Sequence, residues 1–387
     1  MSIEKVKKST ELIETVERFL QTGYEANHQF NEAIDGEEPL IVRSIKEPDN
    51  EYRYDASEIL YWVDRNAYWD EFDSWNGEQI KDKYSACINF IQDTDQSAVF
   101  LDLVALIRKK KIAPFLGAGV SRAAGYPIWG EALQSLSKKI ASFDATAFQE
   151  LLQDNKYLEA AQTIADASQV QLNNYVQTTF RTKFENEEDR EQIPRIFKHL
   201  YRLANGCIIT TNFDPLIEET FKLKGAPLTD AYMYGLQAGN NFVQRLLKGD
   251  RCILKLHGDA SQSSSYVFTA EQYQNAYGDP IDFSKQLPRA LRQIYISNSL
   301  LFLGCSLNQD KTLELFQQVK TSAEFDIPEH FAFLPETSNP SERQATEERL
   351  LILNIRPIWY SSENYHEMLP LLIELAIDIS EHRLNLK

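Results

Sequence analysis

Residues 112–121, Ile112-Ala113-Pro114-Phe115-Leu116-Gly117-Ala118-Gly119-Val120-Ser121, decide the fold. Five apolar residues run straight into three small ones. An apolar run of this length, bounded by glycine, reads as a fully buried strand. The small residues after it make a tight turn in which backbone approaches backbone, or a ligand, closely. Helix-like Val99–Lys111 leads in, and further short β-rich runs follow. These are CIITTNFD from Cys207, CILKLHGD from Cys252, LLFLGCSL from Leu300, HFAFLP from His330 and IRPIWY from Ile355. Helical stretches separate them. Strands alternating with helices predict an α/β fold with a Rossmann-like parallel sheet. In such sheets ligands bind beyond the carboxyl ends of the strands. The polar residues that end the runs are therefore the candidate site.

Four groups stand at those ends. Gly117, Ala118, Gly119 and Ser121 follow the first strand, and the helix after them offers N–H groups to a phosphate. The spacing is not the GxGxxG fingerprint, because Arg122 stands three residues beyond Gly119. A ligand-free turn explains the glycines equally well. The second group is Thr210-Thr211-Asn212-Phe213-Asp214. Asp214 either holds a ligand or caps a helix that starts near Pro215. Asn212 lies too far upstream to be the obvious cap, which favours a functional role. The third is Leu256-His257-Gly258-Asp259, where His257 is either a satisfied structural histidine or a base acting near neutral pH. The fourth is Gly304-Cys305-Ser306, with small residues and a hydroxyl suited to a sugar. Asn308 or Asp310 is the expected cap of the helix that follows.

Composition bounds the rest. The chain has 387 residues, 43% hydrophobic and 25% charged, with 21 Phe and 18 Tyr, which is enough to bury a core. Its 40 basic and 57 acidic residues give a net charge of −17. Such a chain repels phosphate backbones, so direct nucleic-acid binding is not expected. The four cysteines, Cys87, Cys207, Cys252 and Cys305, form no CxxC pair, so neither a structural zinc nor a disulfide framework is expected. Without an apolar signal segment or a run of the roughly 18 residues that a membrane span needs, the chain reads as a cytoplasmic protein with no membrane contact.

Residues 1–100 differ in texture. They carry 22 acidic and 10 basic side chains, and three of the five tryptophans: Trp62, Trp69 and Trp75. Ile13, Val16 and Leu20 recur at helical spacing, with Ser9 or Thr10 as the expected N-cap. Asp35-Gly36 and Glu47-Pro48 mark turns, and residues 56–72 read as a second, aromatic helix. This predicts an acidic, aromatic-rich helical extension over 1–100 and a catalytic domain over 101–387, with a helical insertion about 131–200. The aromatics make either a small helical core or a docking surface for another chain.

Taken together and in order, FLGAGVSRAAGYPIW, TTNFD, LKLHGD and LFLGCSLNQD resemble the sirtuin superfamily. More closely, they are similar to the bacterial sirtuin-like domains that hydrolyse NAD in antiphage defence. The resemblance covers about residues 101–380. It implies an NAD+ hydrolase that cleaves the nicotinamide–ribose bond, with NAD+ as substrate and no metal. Gly117, Ala118, Gly119 and Ser121 would form the phosphate loop, and Asn212 and Asp214 would flank the nicotinamide ribose and carboxamide. His257 would be the catalytic histidine, with Asn212 orienting water and ribose. Gly304 and Ser306 would contact the adenosine-side ribose. The resemblance also implies a homo-oligomer and a HerA-type ATPase partner. Two departures count against a protein-deacylating sirtuin: there is no four-cysteine zinc module, and Gly125-Tyr126-Pro127-Ile128-Trp129-Gly130 lacks the family's Phe-Arg. An NAD-dependent deacylase and a non-catalytic NAD or ADP-ribose sensor are the rival readings.

Overall fold

The computed structural model describes residues 3–47, 49–140, 145–184, 192–307, 311–322, 326–362 and 365–381, with backbone alone for 3–12 and 365–366. They fall into two compact units, one within Met1–Ser85 and one within Ala86–His382.

The first unit contains α1 (Ile3–Glu25), α2 (His28–Asp35), the strands β1 (Leu40–Arg43) and β2 (Glu51–Tyr54), α3 (Ala56–Val63) and the start of α4 (Arg65–Asp93). α1 begins at Ile3, so Ser9 and Thr10 lie inside it instead of capping it. Ile13 and Val16 are exposed, whereas Leu20 packs against a small core of Phe30, Tyr61 and Tyr68. That core is aromatic because edge-to-face rings fill it, with Phe30 and Tyr68 centroids 5.2 Å apart and Tyr61 and Tyr68 4.8 Å apart. Each buried phenol finds a partner. Tyr68 donates to Asn31 Oδ1 at 2.6 Å and Tyr61 to Leu20 O at 2.8 Å. Trp75 packs on this core, while Trp62 and Trp69 stay 40% and 38% exposed. The aromatic stretch expected to be one helix is two. The chain breaks at Asp64, whose carboxylate accepts from Ala67 N at 3.1 Å and so caps α4. The β1–β2 hairpin pairs Leu40 with Tyr54 and Arg43 with Glu51. Its four-residue strands are too short for the sequence to distinguish from loop.

The second unit is built on an eight-stranded sheet. Its strands in chain order are β3 (Ile112–Leu116), β4 (Cys207–Thr210), β5 (Tyr232–Tyr234), β6 (Gln237–Ala238), β7 (Cys252–Lys255), β8 (Ser299–Leu303), β9 (His330–Pro335) and β10 (Ile355–Tyr360). The spatial order is β10-β9-β8-β3-β4-β7-β5-β6, all parallel except the β5–β6 pair. The six runs read as strands from the sequence are β3, β4, β7, β8, β9 and β10. β5 and β6 are additional. β3, β4, β7 and β8 are buried at every position, as a parallel sheet covered on both faces requires. Leaving out the β5–β6 edge, the order is that of dinucleotide-binding sheets, with β3, β4, β7 on one side and β8, β9, β10 on the other.

Helices fill the insertion expected over about 131–200. They are α7 (Trp129–Ser137), α8 (Ala145–Gln153), α9 (Tyr157–Thr179), bent at Ser168, and α10 (Arg195–Leu203). One-turn α6 (Ala118–Ser121) precedes them. Among the described residues no helix is long and apolar enough to cross a membrane.

The sequence places a boundary near residue 100, whereas the compact division falls at Ser85. The turn before α5 (Ser97–Arg108) explains the shift. Gln96 is buried, and its amide donates to Trp359 O at 3.1 Å and accepts from Trp359 N at 2.6 Å. It thereby pairs the backbone of β10. Gln96→Leu would leave both of those groups unpaired, and a loss of about 2–4 kcal/mol in unfolding free energy is expected. Urea denaturation checks this: a variant within about 0.5 kcal/mol of wild type would mean that the bridge contributes nothing.

Candidate active site at the carboxyl edge of the sheet

Register builds the site. β3 pairs Leu116 with both Leu303 of β8 and Thr210 of β4, and β4 pairs Thr210 with Lys255 of β7. Leu303, Leu116, Thr210 and Lys255 therefore form one row across four strands. The residues that follow each of them emerge at the same edge: Gly304, Gly117, Thr211-Asn212 and Leu256-His257. All four motifs that the sequence singles out are brought to this edge.

β3 and β8 are where the strand order reverses, and their end loops touch. Gly117 N donates to Leu303 O at 2.9 Å and Gly119 N to Gly304 O at 3.0 Å. These two N–H groups are thus engaged by backbone within the fold. No larger residue fits the crossing. A Cβ on Gly117 would lie 2.5 Å from Gly304 O, and one on Gly304, whose φ is +64°, would lie 2.5 Å from Val120 N. Ser306 is exposed beside this crossing, and Asn308 and Asp310 lie outside the described residues.

Asn212 is buried, with its amide fixed toward the Gly117–Ser121 loop. Nδ2 donates to Gly117 O at 3.0 Å and to Ser121 Oγ at 2.8 Å. Its Oδ1 is buried and has no hydrogen-bond partner in the fold. Asp214 is also buried and accepts from Leu216 N at 3.2 Å, so it does serve the start of α11 (Leu216–Leu223). Burial raises the Asp214 pKa, and the Lys255 charge and the Ser121 hydroxyl oppose that rise.

The pocket here is lined by Ala118, Ser121, Asn212 and Asp214 together with Tyr126, Trp129, Phe180, Phe213 and Phe268. The volume open to water inside it is about 20 Å³, room for a water. Aromatics line it. Trp129 packs edge-on against His257 with centroids 4.7 Å apart and against Phe268 at 4.6 Å, and Phe180 packs on Phe213 at 5.6 Å.

His257 lies behind Trp129, beside the Thr211 backbone. Its Nε2 shares a 2.5 Å hydrogen bond with Tyr273 Oη on α12 (Ala270–Tyr277). Burial pushes its pKa down to about 3, opposed by the Thr211 backbone, so the imidazole is neutral at physiological pH.

Sequence reasoning missed three residues of this site. Trp129 stands where the Phe-Arg pattern departs, and that departure was its only signal. Tyr273 gives none, because its helix reaches His257 only through the tertiary fold. Lys255 reads as an ordinary strand residue, yet its ammonium is wholly buried at the row's end. Among the described residues, no three His, Cys, Asp or Glu side chains converge as metal ligands do.

The strand order and the switch-point loops define a Rossmann-type ligand-binding domain. The SIR2-like domain family matches residues 206–358, the stretch carrying Asn212, Asp214, His257, Gly304 and Ser306. The chain is 24% identical over 248 residues to the NAD(+) hydrolase ThsA of Bacillus cereus (strain MSX-D12), covering 63% of this chain and 47% of that protein. It is 25% identical over 241 residues to the NAD(+) hydrolase ThsA of Acinetobacter baumannii (strain 532279), covering 61% and 45%. It is 28% identical over 211 residues to the NAD(+) hydrolase ThsA of Enterococcus faecium, covering 54% and 39%. The chain spans about half the length of the curated relatives it matches.

Burial of a neutral histidine has a consequence for stability. Below its ordinary pKa of 6.5, His257 takes up a proton in the unfolded chain but not in the fold, where its pKa is about 3. Its contribution is complete above about pH 6.5 and is lost as pH falls toward 3. Asp214 and Glu218, whose pKa values are raised, act in the opposite sense, so the comparison is made against a variant. Between about pH 7 and 5, wild type is expected to lose about 2 kcal/mol more than His257→Gln. Urea titrations at both pH values test this, and parallel losses would mean that His257 titrates normally in the fold. For the crossing of loops, Gly117→Ala is expected to cost about 2–4 kcal/mol by overpacking, and thermal melts read it.

Proposed function

We propose that this chain is an NAD+ hydrolase, releasing nicotinamide and ADP-ribose. The observation that carries the reading is Asn212. Its amide nitrogen is immobilised by Gly117 and Ser121, and its buried Oδ1 is left as an unused acceptor beside the pocket. An unpaired buried acceptor costs about 1–3 kcal/mol, and a ribose hydroxyl or a water satisfies it when substrate is bound. The similarity to proteins named NAD(+) hydrolase supports the same reading.

In this reading NAD+ lies across the β3–β8 crossing, with its pyrophosphate by the Gly117–Ser121 loop and its adenosine-side ribose by Gly304 and Ser306. Asp214 faces the carboxamide. Cleavage breaks the C1′–N bond, the pair of electrons leaves with nicotinamide, and a water held by Asn212 attacks C1′ and gives up a proton. His257, neutral and with a lone pair to offer, receives that proton directly or through a ribose hydroxyl. In this reading Trp129 swings from the pocket as nicotinamide enters. Its departure readmits water to His257 and raises the basicity that burial suppresses. No metal is required, because the substrate carries its own cationic leaving group.

The biological setting that fits is an antiphage effector acting in the cytoplasm by depleting NAD+. We further propose that it works as a homo-oligomer, with a HerA-type ATPase as the protein partner to test.

Asn212→Ala and His257→Ala are each expected to lower nicotinamide release at least about 10²-fold, with circular-dichroism spectra unchanged. Chromatographic assay of nicotinamide and ADP-ribose checks this. Near wild-type turnover by both variants would overturn the site. Release that depends on an added acetylated peptide would favour a deacylase, and binding without release would favour a sensor.

A further inference from the structure

Lys255 ends β7 with its ammonium enclosed among acceptors from two loops and a helix. Nζ donates to Asp214 O at 2.7 Å and lies 3.3 Å from Phe213 O, both on the loop that carries Asn212. It bonds Asp259 Oδ2 at 2.7 Å, on the loop that carries His257, and Glu218 Oε1 at 2.9 Å on α11. Tyr234 of the next strand donates to that same Glu218 oxygen at 2.8 Å. The side chain is 0% exposed.

Stability alone does not account for such a group. Taking a lysine and its carboxylates out of water costs several kcal/mol per ion, and apolar residues of similar volume often serve a core as well or better. What an apolar side chain cannot do is bind two backbone carbonyls of one loop and a carboxylate of another at fixed distances. We propose that Lys255 is a positioning residue, whose ammonium ties the Asn212 loop to the His257 loop and sets the separation of those two side chains.

The two loops already touch through their backbones, Leu256 N donating to Thr210 O at 2.8 Å and Ala260 N to Phe213 O at 3.1 Å, and Nζ adds the side-chain tie between Asp214 O and Asp259 Oδ2. On one side, Phe213 and Asp214 directly follow Asn212, so drawing in their carbonyls fixes the turn from which the amide projects. On the other, Asp259 is held twice more, accepting from Ser261 N at 2.9 Å and from Ser261 Oγ at 2.5 Å. Gly258, between Asp259 and His257, has φ +93°, and a Cβ there would lie 2.5 Å from Ser265 O. The loop has little freedom of its own, and the ammonium transmits its position to the neighbouring strand. The charges favour the tie. Burial raises Asp214 and Glu218, while the ammonium keeps Asp259 ionised below the usual carboxylate range.

The kinetic arm of the test rests on the hydrolase reading, and the spectroscopic arm does not. Three variants are made: Lys255→Met, Lys255→Met/Glu218→Gln, and Asp259→Asn. The double variant removes the charge that Lys255→Met strands. Asp259→Asn keeps the ammonium and weakens only its tie to the His257 loop. Each is measured for kcat and KM on NAD+, for thermal melting, and for the imidazole ¹⁵N resonances of His257, assigned by their loss in His257→Ala. In folded protein, the double variant is expected to lose about 10²-fold in kcat with KM within about three-fold, and Asp259→Asn about ten-fold in kcat. The His257 resonances shift in both. A double variant that recovers wild-type kcat along with its melting temperature, with His257 unshifted, would reduce Lys255 to a structural residue and overturn the proposal. If the double variant does not fold, Asp259→Asn decides on the same two readouts. If the wild type itself releases no nicotinamide, the hydrolase reading fails, and unshifted His257 resonances alone overturn the positioning role.

Discussion

The crossing of two backbones at Gly117 and Gly304 is the constraint on which the carboxyl edge depends. Two hydrogen bonds, Gly117 N to Leu303 O and Gly119 N to Gly304 O, join the loops that leave β3 and β8. Each loop occupies the space that a side chain of the other would need. Because β3 is the central strand, this contact fixes the Gly117–Ser121 loop relative to both halves of the sheet. From there the register of β3, β4 and β7 carries position outward, one strand at a time, to Asn212 and then to His257.

Around that scaffold the site is small and lined by aromatic rings. Trp129, Phe213 and Tyr273 surround His257 and their burial of it leaves the imidazole neutral, while Asn212 keeps an acceptor unspent. The same aromatic enclosure suppresses the basicity of the histidine. Beneath them the Lys255 ammonium supplies positive charge where the backbone carbonyls and carboxylates of two loops converge.

The first unit solves a different problem. Its core is too small for aliphatic packing alone, so Phe30, Tyr61 and Tyr68 fill it edge to face with their hydroxyls bonded internally. The aromatic content seen in the sequence is in large part this core. Its exposed apolar residues include Ile13, Val16 and Phe19 on α1, Leu40, Ile41 and Val42 on the hairpin, and Trp62 and Val63 on α3.

The sequence by itself determined six strands of the large sheet and the edge at which they end. A buried parallel strand is written locally, as an apolar run closed by small or polar residues, and all six such runs are strands. Asn212, Asp214 and His257 were legible for the same reason, since each directly follows its run. What only tertiary structure decided is the company these residues keep. Asp214 is both pocket wall and helix cap, which spacing cannot separate. Tyr273 meets His257 from a helix sixteen residues downstream, and Trp129 reaches it from a helix that precedes the motif by more than a hundred. Lys255 ends the apolar run of β7 between Leu254 and Leu256 and looks like an ordinary strand-end residue. It becomes a buried hub because β4 and β5 flank it and α11 covers it, a circumstance that depends on strand order and leaves no mark in the local pattern. Long-range packing, which pairs residues without regard to their spacing, is the physical reason.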